Sequence, residues 1–232
     1  MPMSKRQEIQ ELLHEKVTKG RHARQKEKPS GQASSPFATN KVDQAGKTSG
    51  QRHNHLRNMN HQRSTMNANE MADCIRIAVQ KNPRKMTLQL ARDLGVPEVE
   101  VIRAFPPDRV MELDIARWEE LIQTFEAFGA VRVLVSNGAT TIEVDGQFGG
   151  FSAAGEFFNV QTDSLDMHIR WQQLAAAFAV EKPGHMDGTA TRSFQFFDRT
   201  GAAAFKVFLN FGGPIAPDRE AHFIELRSRF KR

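Results

Sequence analysis

The 232-residue chain contains no tyrosine, one cysteine and two tryptophans, and no uninterrupted apolar stretch approaches the length of about 18 residues that a membrane-spanning helix needs. Each absence removes a class of function. Without tyrosine there is no phenol to donate a proton or bind a metal. One thiol, Cys74, excludes an intrachain disulfide framework and a zinc site built from several cysteines, and it suits a reducing compartment. The N-terminal MPMSKRQEIQELLHEK lacks the apolar core of a secretory signal, so a cytoplasmic protein without a membrane span is expected.

Basic charge is also scarce where a fold is expected. Residues 1–70 hold 13 Lys/Arg and 6 Asp/Glu, a net +7, whereas residues 71–232 hold 19 and 21, a net −2. The basic balance belongs to the tail, so charge gives the folded part no nucleic-acid footprint. Within the tail, residues 7–18 could form a short amphipathic helix. From Gly20 to Asn69 the chain is polar and is read as disordered, because it has too little apolar area to offset ordering entropy. His53, His55 and His61 stand there at irregular spacing, which supports at most weak, adventitious metal binding. The division is therefore a disordered basic tail over 1–70 and a folded domain over 71–232.

The folded part opens with helical signals. MADCIRIAVQKNP predicts a helix ending before Pro83. Thr87 is a candidate cap for TLQLARDL, Gly95 ends it, and PEVEVIRAF restarts with Pro97 in its first turn. That spacing is helix–turn–helix, but the second helix offers Glu98 and Glu100 to a phosphate backbone, which disfavours a DNA reader. In ARWEELIQTFEAFG, Trp118, Leu121, Ile122, Phe125 and Phe128 share one helical face, closed by Gly129. Strands follow. VRVLVS and ATTIEV flank Asn137-Gly138 as a hairpin, and GEFFNVQ and LAAAFAVE read as strands. TRSFQFFD and AAAFKVFLN flank a three-residue loop at Arg199-Thr200-Gly201. DREAHFIELRSRF closes with a helix, giving an α+β class.

His168 stands between Met167 and Ile169, close to Trp171, with Asp163 and Asp166 upstream as candidate orienters. A satisfied structural histidine, an acid–base residue and a ligand to a bound group all suit that setting. No G-x-S-x-G elbow or P-loop accompanies it. The glycine stretch DGQFGGFSAAGEFFN suits either close approach to a flat ligand or a plain hairpin connection. With 17 phenylalanines and the cations Arg132, Arg170, Arg192 and Lys206, a greasy slot with a charged rim is conceivable. Such a slot would take a flat apolar ligand bearing carboxylates, for which haem is one candidate.

From Leu88 to Phe230 the sequence resembles the cytosolic haem-utilisation carriers of the HutX/ChuX type, relatives of the two-repeat HemS/ChuS proteins. The resemblance rests on LARDLGVPEVEVIRAFP, EAFGAVRVLVSNGATTIEV, GEFFN, MHI and, most specifically, SFQFFDRTGAAAFKVFL, all in order. It implies a large curved antiparallel sheet with N-terminal helices and a C-terminal helix. It further implies a haem-binding carrier, not an enzyme, that passes haem to a degrading or receiving protein, and a homodimer. Two alternatives accompany this reading: a haem-degrading enzyme of the same superfamily, or a fold relative that has lost haem and binds another apolar ligand. Where the family carries tyrosine in G-Y-F-N this chain has Phe157, which leaves His168 as the expected iron ligand. Phe157 and Phe158 are then expected as pocket wall and Arg170, Arg192 and Lys206 as propionate partners. Asn159 is expected to close a backbone turn.

Overall fold

The computed structural model describes residues 67–185, 189–210 and 213–232, so the readings for the N-terminal helix, the disordered tail and its histidines lie outside the described residues. Helix α1 spans Ala68–Lys81 and begins three residues before Met71. The reason is local. Asn67 accepts from the Glu70 backbone N–H while the Glu70 carboxylate accepts from the Asn67 N–H, a reciprocal capping box. Helix α2 spans Thr87–Leu94 and ends on Gly95 at φ 58°; α3 spans Glu98–Arg103. Thr87 is not the cap, because its hydroxyl is turned inward to Glu98. Pro97 precedes the first turn of α3 instead of entering it.

Among the described residues, nine strands follow these three helices. They are β1 Val110–Leu113, β2 Ala130–Ser136, β3 Thr141–Gln147, β4 Phe151–Ala154, β5 Phe157–Gln161, β6 Asp166–Ile169, β7 Leu174–Pro183, β8 Ala190–Asp198 and β9 Ala203–Phe208. They divide into a six-stranded sheet of order β1-β7-β8-β9-β2-β3 and a three-stranded sheet of order β4-β5-β6, and the neighbouring strands pair antiparallel. The long helix expected over 116–129 is broken into a 3-10 turn at Ile115–Arg117, helix α4 at Trp118–Gln123 and a second 3-10 stretch at Thr124–Phe128. Its apolar face is nonetheless the expected one, since Leu121, Ile122, Phe125 and Phe128 are buried. The β2–β3 loop has four residues, with the Asn137 side chain accepting from the Ala139 and Thr140 N–H groups. Helix α5, Pro217–Arg229, closes the chain, and Lys231 then bridges to Leu113 on the edge of β1.

The centre of the six-stranded sheet, β7, β8 and β9, is covered on both faces, which accounts for its near-continuous apolar strands, whereas the edge strand β3 has no buried residue. One face carries Val131, Val133, Ala177, Ala179, Phe194, Phe196, Phe205 and Val207. These pack with Phe125 and Phe128, with Phe223 and Leu226 of α5, and with Phe158, Val160 and Ile169 of the smaller sheet. The other face carries Phe178, Val180 and Phe197 against Val99 and Ile102 of α3. Gly201 joins the layers. Its φ is 80°, its carbonyl accepts from the Val99 N–H, and a Cβ there would lie 2.7 Å from Pro97 Cβ. The nine phenylalanines at 125, 148, 178, 194, 196, 197, 205, 223 and 230 are fully buried in this packing. They are core, not the walls of a slot.

Candidate functional site

The three-stranded sheet has one buried face and one open face. Strand alternation sends Phe158 and Val160 of β5 and Ile169 of β6 into the core, with Met167 packed against it. The residues between them face outward. The register pairs Ser152 with Asn159 and Asn159 with His168, so three polar side chains lie in a row across the sheet. His168 is half-exposed at 51 % of its side-chain surface. Asn159 is only 7 % exposed because it lies between its two neighbours. It is a mid-strand residue, not a turn closer.

The row is hydrogen-bonded throughout. His168 Nδ1 lies 2.7 Å from Asn159 Oδ1, which can only accept, so Nδ1–H donates. Asn159 Nδ2 donates to Ser152 Oγ at 3.1 Å. His168 Nε2 has Asp166 Oδ1 at 3.5 Å, beyond a good hydrogen bond. The orienter of His168 is thus Asn159, and Asp166 stands near the free nitrogen.

Phe157 and Arg170 complete this face. The Phe157 ring stands edge-on to His168 with centroids 6.0 Å apart. The Arg170 guanidinium lies 5.1 Å over the Phe157 ring and pairs with Glu156 at 3.2 Å, with 58 % of its side chain exposed. Beneath the sheet, Trp118 meets Phe158 edge-on at 5.1 Å and stacks on Trp171 at 5.6 Å.

Three other predicted residues are elsewhere. Phe158 is 3 % exposed and belongs to the core, because successive residues of a strand cannot share a face. Lys206 is on β9, on the face of the six-stranded sheet that meets the N-terminal helices. There it pairs with buried Glu98 at 2.5 Å and donates to Thr87 Oγ1 at 3.2 Å. Its charge is committed to the Glu98 carboxylate, which is itself buried and so is not presented to a phosphate backbone. Arg192 is 13 % exposed and pairs with Glu220 of α5 and with Glu181 at 3.3 Å. Lys206 and Arg192 are thus withdrawn as rim cations. The glycine stretch also has a structural account: Gly150, at φ 65°, lies against the chain itself, where a Cβ would come 1.9 Å from the Gln161 carbonyl oxygen. A cavity of about 500 Å³ lies away from this face, between α1 and β1, lined by Arg76, Arg103, Phe105 and Phe178 among others and by none of the six predicted residues.

Among the described residues no group of three or more His, Cys, Asp or Glu side chains is placed to hold a metal ion. The open face therefore offers one imidazole nitrogen, an aromatic ring beside it and a cation next to that ring. Such a set cannot cage a bare ion, but the imidazole could hold a metal that is already bound by another ligand.

The chain is similar to several known proteins. The model of the family described as haem utilisation ChuX/HutX matches residues 111–226, half of the chain. The intracellular heme transport protein HutX of Vibrio cholerae serotype O1 is 22 % identical over 157 residues, which are 66 % of this chain and 80 % of HutX. The solved structure of the heme-binding protein ChuX superposes with a TM-score of 0.60 at 20 % identity, covering 67 % of this chain and 97 % of ChuX. The Escherichia coli O157:H7 heme-degrading enzyme ChuS superposes with a TM-score of 0.55 at 24 % identity, covering 66 % of this chain but 44 % of ChuS. These likenesses show the fold.

Proposed function

This chain belongs to the haem utilisation ChuX/HutX family, and on that premise we propose that it is a cytoplasmic haem-binding carrier with His168 as its protein ligand to iron. The observation that carries the reading is the imidazole itself: a half-exposed histidine, held at Nδ1 and open at Nε2, on the outer face of a sheet whose other face is core. A porphyrin brings four nitrogens, so one neutral imidazole suffices where a bare cation would need three or four side chains. Phe157 stands beside the imidazole, and Arg170, exposed, over Phe157 and paired with exposed Glu156, is a cation available to a propionate. Among the described residues the face is open, which suits exchange with a haem-degrading or haem-receiving partner.

The test is a hemin titration followed at the Soret band. The expected result is a saturable one-to-one spectrum that His168→Ala abolishes while the fold, read by far-UV circular dichroism, is unchanged. Equal affinity in His168→Ala would overturn the reading. A reductant and oxygen are then added to the loaded protein. Retention of the Soret band supports a carrier; its loss with release of iron would make the protein a haem-degrading enzyme instead.

A further inference from the structure

We propose that Asn159, oriented by Ser152, is the positioning residue of this site: it fixes the proton of His168 on Nδ1 and keeps the imidazole a moderate donor through Nε2. The haem part of this proposal rests on the function proposed above; the tautomer part does not.

The geometry gives the direction. Asn159 Oδ1 carries no proton, so the 2.7 Å contact requires Nδ1–H and leaves Nε2 of this half-exposed ring with its lone pair, 3.5 Å from Asp166 Oδ1. Turning the amide over would move the proton to Nε2. In that arrangement Nδ2–H would face Nδ1, the Ser152 hydroxyl would face Oδ1 and Nε2–H would stand 3.5 Å from Asp166 Oδ1, so the amide orientation found here and the Nδ1–H tautomer stand or fall together. The amide is in turn bound on its other side, with Nδ2 on Ser152 Oγ at 3.1 Å, and the residue is 7 % exposed, so water does not compete for it. The row is set by register alone, since Ser152, Asn159 and His168 are directly opposed on three adjacent strands.

The choice of an amide has a consequence for metal. A histidine that binds metal through one nitrogen is tuned by the acceptor on the other, and a carboxylate there makes the ring the stronger donor. A neutral amide orients the ring equally well but withdraws less proton density from Nδ1–H. The site therefore combines a fixed ring with a moderate bond to iron, the combination that binding followed by release requires.

The experiment has two arms. In the haem-free protein at pH 8, long-range ¹H–¹⁵N correlations of the imidazole report the tautomer. The expected result is Nδ1–H in the wild type and a shift to the Nε2–H form, which free histidine favours, in Asn159→Leu. A wild-type ring protonated on Nε2 would overturn the proposal without any variant. In the haem-loaded protein, Asn159→Leu should weaken affinity by about 10- to 100-fold. Asn159→Asp, which keeps the size of the side chain, should bind ferric haem at least as tightly as wild type. It should also lower the reduction potential and raise the iron–histidine stretching frequency of the ferrous form. Ser152→Ala should fall between wild type and Asn159→Leu. A merely structural Asn159 would alter the unfolding midpoint but leave tautomer, potential and stretching frequency unchanged in all three variants, and that outcome would refute the positioning role. If His168→Ala keeps its haem affinity, the carrier reading fails instead, while the tautomer arm stands or falls by itself.

Discussion

Lys182 offers a test of how the six-stranded sheet is stabilised, and the missing tyrosines make it readable. The residue continues the face that carries Phe178 and Val180, and its ammonium donates to the Pro183 carbonyl oxygen at 2.9 Å. Burial, and then repulsion from the Lys206 ammonium, push its pKa down from 10.5 to about 8. The unfolded chain, with an ordinary lysine, binds more protons than the folded chain between about 8 and 10.5, so stability rises with pH across that window. Below it, both states are protonated and the folded state carries the whole penalty. At about 1.4 kcal/mol for each pKa unit the ceiling is roughly 3 kcal/mol, and partial exposure of the side chain reduces it to about 2 kcal/mol. Lys182→Met keeps the apolar stem, removes the charge and forfeits the hydrogen bond to Pro183, a loss of about 1 kcal/mol. The variant should therefore be about 1 kcal/mol more stable than wild type at pH 7, and about 1 kcal/mol less stable at pH 10.5, where the penalty has gone. Urea unfolding of both proteins at pH 7, 8, 9 and 10.5 gives the difference directly. With no tyrosine in the chain, no phenol titrates in that window to obscure it. A difference that does not change with pH would refute the account of Lys182.

The Lys206–Glu98 pair should behave as a buried ion pair. Glu98→Leu alone leaves the ammonium unpaired under α3 and should cost roughly 3–5 kcal/mol, whereas Glu98→Leu with Lys206→Met should come within about 1 kcal/mol of wild type. Urea midpoints that are equal for the single and double variants would show that the pair is not desolvated. On the open face, Phe157→Tyr sets a phenol beside His168. In a His168→Ala background it should restore ferric-haem binding with a phenolate charge-transfer band, and the absence of that band would mean that residue 157 does not face the metal.

The sequence revealed local elements and buried faces better than it revealed long-range partners or which side of a strand faces a ligand. The β8–β9 hairpin and the α2 terminus at Gly95 are written in local chemistry, and the buried stripe from Leu121 to Phe128 is written in its periodicity. Strands β1, β4 and β6 have four residues each, too few for an alternation to stand out, and they exist because neighbours pair with them. Lys206 and Arg192 stand in apolar runs and look like rim cations. Nothing local shows that Glu98, 108 positions from Lys206, lies against it. Phe157 and Phe158 look equivalent in a string of letters, yet a strand must send one outward and the other inward.

The same parity decides His168. A slip of one residue in β6 would bury its imidazole beside Phe158 and expose Ile169, converting a candidate ligand into an unsatisfied core group. The register is held by the turn between β5 and β6, where the Thr162 N–H donates to the Leu165 carbonyl at 2.8 Å and the Leu165 N–H donates to the Thr162 hydroxyl at 3.2 Å. Leu165 itself is anchored in the core. A hydrophobic peg with no chemistry of its own thus determines that the histidine three positions later faces outward, opposite Asn159, with a nitrogen free to bind.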